Sequence, residues 1–246
     1  MASAAVVQVF GQPASTDTAR VLACLLERKL DFELVRTDTF RRGGNKLPQL
    51  VKMKDPSGKA VLKHGDITLS DSRDICRYVC TEFPRWCTRD LYGAGALERA
   101  SIEQWLKAEA RSFDAPSAAL AFHLAFTPAA ADAAESERQL LRVLDVYDDA
   151  LGRSAYLAGD EFTLADLSHL PNAHYVACSA RGRALLASRA NVARWFAAIS
   201  SRPAWRQVVA VQARSAHCPV AAFEPSQAAA RDEPAEVLLP VEHAAS

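Results

Sequence analysis

Val6-Val7-Gln8-Val9-Phe10-Gly11-Gln12-Pro13-Ala14-Ser15-Thr16-Asp17-Thr18-Ala19-Arg20-Val21 reads as a strand, a turn and the start of a helix. Val6 to Phe10 is a short apolar run of strand length, and Gly11-Gln12-Pro13-Ala14 breaks it. Ser15-Thr16-Asp17-Thr18 then offers N-cap residues, and Val21, Leu22, Leu25 and Leu26 recur at helical spacing. Leu30 to Val35 alternates apolar and polar side chains like a second strand. Arg41 to Lys46 is a polar, glycine-bearing stretch within a helical or loop connection. Val61-Leu62 and Ile67-Thr68-Leu69 flank His64-Gly65-Asp66 as the arms of a hairpin, and Asp71 to Phe83 follows as a helix with Ile75, Tyr78 and Val79 on one face. The order over residues 5–83 is β-α-β-α-β-β-α. A βαβ connection followed by a hairpin makes a mixed sheet, parallel at one end and antiparallel at the other.

Residues 84–95 carry Pro84, Gly93 and Gly95 without periodicity and read as a linker. Residues 96–214 read as an all-α domain. Leu97 to Phe113 has Ile102, Trp105 and Leu106 on a stripe, and Asp114-Ala115-Pro116 is expected to bend or interrupt the helix before Ala118 to Phe126. Ser136 to Leu151, Thr163 to Ala177 and Val192 to Ile199 are further helices, and Pro203 sits at the first position of a last one. Thr163 and Asp166 are spaced to cap a helix reciprocally, a folding device with no catalytic role. Residues 215–246 hold four of the twelve prolines and no sustained period, and read as a poorly ordered tail. Val237-Leu238-Leu239 leaves open a docked segment there.

The chain has 246 residues and half of them are hydrophobic, enough for a full core without crosslinks. Lys plus Arg and Asp plus Glu are 29 each, a balance that argues against a nucleic-acid protein. No apolar run approaches the ~20 residues of a membrane span. Met1-Ala2-Ser3-Ala4-Ala5 has no basic region ahead of Val6, so no signal peptide is expected. Cys24, Cys76, Cys80, Cys87, Cys178 and Cys218 form no C-x-x-C pair and read as free, packed thiols of a reducing cytoplasm. Cys76 and Cys80 lie one helical turn apart, but no His pair stands near them in the sequence, and no metal is implied.

Four stretches carry a family resemblance: Val9 to Val21, Gly65 to Ile75, Tyr156 to Leu167, and Trp105 with Phe113 to Phe122. They resemble the glutathione transferases, most closely the plant phi class. The resemblance spans roughly residues 6 to 212. It implies a thioredoxin-like α/β N-terminal domain followed by an all-α helical-bundle domain, and an enzyme that joins the glutathione thiolate to hydrophobic electrophiles or uses it to reduce organic hydroperoxides. Glutathione is the implied co-substrate and a homodimer the implied assembly. The alternative is a carrier of flavonoid-like apolar ligands with weak or absent catalysis.

The chemistry needs a thiolate, and a free thiol with a pKa of about 8.5 is mostly protonated at neutral pH. A hydroxyl beside the sulfur at a helix N-terminus favours the charged form. Ser15 matches the family's activating serine, with a plain N-cap serine as the alternative, and Ala14 stands beside it. Asp71 and Ser72 match the pair that receives the γ-glutamyl ammonium and carboxylate, where the family has Glu-Ser. Asn45 and Lys46 match the loop that reaches the glycyl carboxylate. Phe122, Phe126 and Tyr175, with Thr16, are the implied acceptor-substrate residues, in an apolar pocket expected between the domains. One departure stands out. Relatives carry a Val-Pro pair before the third strand, with a cis proline, whereas this chain has Lys59-Ala60-Val61 and no proline between Pro56 and Pro84. Lys59 and Ala60 therefore occupy the stretch that meets the cysteinyl unit, one residue shorter.

Overall fold

A computed structural model describes residues 6–36, 59–83, 90–126, 131–214 and 237–238. The chain divides into two compact units, Met1–Phe83 with Val208–Ser246, and Pro84–Gln207. The first unit is built on β1 (Val7–Gly11), α1 (Thr16–Glu27), β2 (Phe32–Arg36), β3 (Val61–His64), β4 (Ile67–Leu69) and α2 (Ser72–Glu82). Pairing follows the expected mixed pattern. β1 runs parallel to β2 with Val9 opposite Leu34, antiparallel to β3 with Val9 opposite Leu62, and β3 pairs antiparallel with β4. The hairpin closes on Gly65-Asp66, where Gly65 has φ +57°, a conformation that glycine adopts without steric cost. The helix expected between β2 and β3 lies outside the described residues.

Val7, Val9 and Phe10 of β1, Leu22 and Leu25 of α1, Val61 and Leu62 of β3, and Ile75 and Val79 of α2 are buried. Each large aliphatic removed from water contributes about 1.5–3 kcal/mol before entropy is counted. β1 and α1 approach so closely that a Cβ on Gly11 would lie 2.3 Å from Thr18 Oγ1, which is why a glycine ends this strand.

The second unit is helical: α3 (Ala96–Ala108), α4 (Asp114–Phe126), α5 (Ala131–Leu151), α6 (Leu164–Ala177), α7 (Ala180–Ala187) and α8 (Ala190–Ser200). The last helix, α9 (Pro203–Ala213), begins at Pro203 as expected and contains the boundary with the first unit. Two expectations are corrected here. Asp114-Ala115-Pro116 does not interrupt the helix; a π-helical stretch, Glu109–Phe113, joins α3 to α4, with the Asp114 N–H bonded to the Glu109 carbonyl. Pro116 thus falls in the first turn of α4, where a missing N–H is tolerated. And α7 was not anticipated. It is short, weakly patterned, and started by Ser179, whose hydroxyl accepts the Gly182 N–H at 2.9 Å.

Tyr147 and His169 are buried together in this unit. The His169 Nδ1–H donates to the Ala165 carbonyl at 2.7 Å, so Nε2 accepts the Tyr147 hydroxyl proton, also at 2.7 Å. The reciprocal cap is present: Thr163 accepts from the Ala165 N–H, and Asp166 accepts from the Thr163 N–H.

The tail reading changes for one dipeptide. Val237–Leu238 forms β5, antiparallel to β2 with Leu238 opposite Phe32, giving the sheet order β4-β3-β1-β2-β5. β2 would otherwise offer a row of unpaired backbone groups on that edge.

Candidate functional site

Ser15 stands at the N-cap of α1 with extended backbone, φ −70° and ψ 134°. Its N–H donates to the Gln12 carbonyl at 2.8 Å, and its own carbonyl accepts the Ala19 N–H at 2.9 Å. The turn is closed and the helix begins in register. The side chain, half-buried, makes no capping hydrogen bond. Ser15 therefore holds the position of a cap without using its hydroxyl as one, and that hydroxyl sits at the positive end of the α1 dipole. Thr16 opens the first turn, and Ala14 precedes Ser15, both half-buried. From the far end of the chain, Gln212 Nε2 donates to the Pro13 carbonyl at 2.9 Å and braces this turn.

The N-terminus of α2 lies in the same unit. Asp71 is its cap: Oδ1 accepts the N–H groups of Arg73 at 2.9 Å and Asp74 at 3.0 Å. The carboxylate is exposed, so its second oxygen can meet a cation while the first caps the helix. Ser72 is buried, with its hydroxyl between two residues of α1. It donates to Asp17 Oδ1 at 2.6 Å and accepts from Arg20 Nη1 at 2.7 Å. Asp17, Arg20 and Gln212 are not among the expected site residues. Their bonds to Ser72 and Pro13 join residues far apart in sequence; the available signal was an arginine set within the apolar face of α1.

Ala60 is buried just ahead of β3 and Lys59 is exposed. Among the described residues no peptide bond is cis, so the Ala60–Val61 bond is trans. Asn45 and Lys46 lie outside the described residues. In the helical unit, Phe122 and Phe126 sit one turn apart on α4, each 57% exposed, with ring centroids 5.1 Å apart. Tyr175 is half-buried on α6. At this exposure the pair is not core packing.

Three of the described thiols are buried and poorly placed to compete as nucleophiles. Cys24, Cys76 and Cys80 are buried between α1 and α2, with the Cys24 and Cys80 sulfurs 4.0 Å apart. Hydrogen bonding to the Cys76 and Cys80 side chains, then burial, pushes the Cys24 thiol well above its ordinary value and keeps it protonated.

The site thus combines an uncommitted hydroxyl at one helix start with a carboxylate at another, on a mixed α/β sheet unit followed by helices. Comparison with known proteins defines the class. The model of the glutathione S-transferase N-terminal domain matches residues 9–86, and that of the C-terminal domain matches residues 113–203. Glutathione S-transferase F11 of Arabidopsis thaliana is 36% identical over 215 residues, covering 85% of this chain and 99% of its own. The crystal structure of glutathione transferase F2 from Populus trichocarpa superposes with a TM-score of 0.77 at 41% identity, covering 83% of this chain and 97% of that one. Glutathione S-transferase I from maize, in complex with an atrazine glutathione conjugate, gives 0.75 at 26% identity over 86% of this chain and all of that one. The chain belongs to the glutathione S-transferase family, in the plant phi class. It is a transferase with glutathione as co-substrate, and these relatives favour catalysis over ligand carriage.

Proposed function

We propose that Ser15 donates its hydroxyl hydrogen bond to the sulfur of bound glutathione and holds it as the thiolate. The observation that carries this is the Ser15 side chain, placed at the N-cap yet making no cap bond. An O–H donor and a helix dipole both favour the anion, and together they lower the thiol pKa. The thiolate attacks the electrophilic carbon of an apolar acceptor. For a halogenated arene a C–S bond forms, halide leaves with the bonding pair, and the thiol proton goes to solvent.

The remaining assignments follow the ends of the tripeptide. Asp71 meets the γ-glutamyl ammonium, and the N-terminus of α2 at Ser72 meets the neighbouring carboxylate. Asn45 and Lys46 take the glycyl carboxylate, and Ala14, Lys59 and Ala60 flank the cysteinyl unit. Phe122 and Phe126, with Tyr175 and Thr16, contact the acceptor. The atrazine glutathione conjugate held by the maize relative supports the acceptor role proposed for this surface. The enzyme works as a homodimer in the cytoplasm; a stable monomer in light scattering at micromolar concentration would remove the dimer from this reading.

The direct test is turnover of glutathione with a chloronitrobenzene acceptor, in the wild type and in Ser15→Ala. Loss of the donor is expected to lower turnover by ~10²-fold or more and to raise the pKa of the bound thiol. Undiminished turnover in the variant would take Ser15 out of the mechanism.

A further inference from the structure

β2 is held along its whole length on one side only. Each residue from Phe32 to Arg36 stands opposite a residue of β1, from Val7 to Gly11, in one unbroken register. The outer edge of such a strand is ordinarily blunted by a charge, a proline or a bulge. β2 contains no proline and its register with β1 has no bulge. The charge near its start, Glu33, is drawn to the neighbouring strand, where it accepts from Gln8 Nε2 at 2.7 Å. Phe32 and Leu34 are buried. The outer edge is therefore competent to take another strand. Among the described residues Val237–Leu238 takes it, with Val237 opposite Glu33 and Leu238 opposite Phe32.

We propose that the outer edge of β2 is a strand-docking site, and that its occupant is this chain's own C-terminal segment around Val237-Leu238, tethered to the unit it covers. The sequence sets the length of that segment. Pro234 and Pro240 bracket Ala235-Glu236-Val237-Leu238-Leu239, and a proline has no N–H to give a ladder, so the stretch that can pair is limited to the five residues between them. Val237 and Leu238 belong to the same compact unit as β2, although the 23 residues 214–236 separate them from the end of α9. Docking within one chain replaces a bimolecular encounter by an effective concentration on the order of mM, which favours a pairing too short to persist between separate molecules. The segment also lies beyond residue 203, where the match to the family models ends, so the family pattern does not account for it. The pairing sits away from the catalytic end of the sheet. With Val7 opposite Phe32 and Gly11 opposite Arg36, Phe32 and Glu33 are level with the start of β1, whereas Ser15 follows its end. The docked segment covers the sheet edge and takes no part in the transfer.

The test is amide hydrogen exchange on the full chain, wild type against Val237→Pro/Leu238→Pro, with glutathione turnover measured alongside. The double variant removes both N–H groups of β5 and cannot pair. Exchange at Phe32 and Glu33 is expected to rise about tenfold in the variant, with β1 and β3 unchanged and turnover within about twofold of the wild type. A synthetic peptide of residues 233–241, added to the variant at millimolar concentration, is expected to restore the protection. Equal exchange in wild type and variant overturns the proposal. A rise that the peptide leaves unaltered overturns it too, because the edge would then not recognise this segment. So does a rise that spreads over β1 and β3, since the substitutions would be loosening the whole sheet. Wild-type protection that fades on dilution overturns the intramolecular assignment, because the strand would then come from a second copy.

Discussion

Gln212 Nε2 and the Pro13 carbonyl are joined at 2.9 Å by a buried hydrogen bond between residues 199 positions apart. Pro13 is two residues from Ser15, and the Ser15 N–H closes the same turn on Gln12. The last helix thus braces the loop that presents the proposed catalytic hydroxyl. Replacing Gln212 by Ala leaves a buried carbonyl without this donor, at a cost of about 1–3 kcal/mol. Turnover with glutathione is expected to fall by several-fold, and amide hydrogen exchange should rise at Ala14 and Ser15. Exchange and turnover both unchanged would show that the turn holds itself.

Asp166 is expected to tolerate no amide replacement. Oδ1 accepts the Leu157 N–H at 3.0 Å and the Trp195 indole N–H at 2.8 Å, while Oδ2 accepts the Thr163 N–H at 3.0 Å and the Thr163 hydroxyl at 3.3 Å. Asn at this position must turn its NH₂ toward one of these donor pairs. Asp166→Asn should lower stability by about 2–4 kcal/mol, read as a reduced denaturant midpoint. A midpoint equal to the wild type would contradict the accounting of donors.

His174 supplies a pH test. Burial lowers its pKa below the ordinary histidine value, and its ring packs edge-on against Trp205 with centroids 5.5 Å apart. Between the lowered folded pKa and the ordinary value of about 6.5, the unfolded chain binds more protons than the folded one. Stability from this group is therefore full above that ordinary value and declines as pH falls through it toward the folded pKa. Denaturant midpoints between pH 5 and 8 should lose part of this slope in His174→Gln. An identical slope in the variant would assign it to another group.

The Ala60–Val61 bond is trans and the family's proline is missing from this stretch. A cis bond before a non-proline residue costs ~2.5–4 kcal/mol, so the cis geometry that the family resemblance implies for proline-bearing relatives is not expected at this stretch. Glutathione is expected to bind several-fold to some tens-fold more weakly here than there, at about 0.5–1.5 kcal/mol per hydrogen bond less well held. Calorimetry on a variant with Pro inserted between Ala60 and Val61 should show tighter binding. Unchanged or weaker binding with the fold intact would mean that the shorter loop has its own solution.

Most of the architecture was legible because its signals are local. The strand, turn and helix from Val6 to Val21, the two-residue hairpin at Gly65-Asp66, Pro203 opening the last helix and the Thr163–Asp166 cap each depend on a few neighbouring residues. What was misread involves competition between elements. Pro116 signals a bend or an interruption, and the helix passes instead through a π-helical stretch into α4; α7 has too few residues to display a period; Val237–Leu238 pairs with β2, some 200 positions away.

The candidate site divides along the same line. Ser15, Asp71 and Ser72 are helix-start residues, and a helix start is announced by residue types that interact within a turn of themselves. Residue types along the chain mark which residues stand at those starts and which family's pattern they match. What their side chains do there is set by packing: the Ser15 hydroxyl makes no capping bond, the Asp71 carboxylate caps with one oxygen, and the Ser72 hydroxyl donates to Asp17. The physical reason is that a hydroxyl carries a single proton. Which acceptor receives it depends on what the fold brings within about 3 Å, and for Ser72 that acceptor comes from another helix, 55 positions away in the chain.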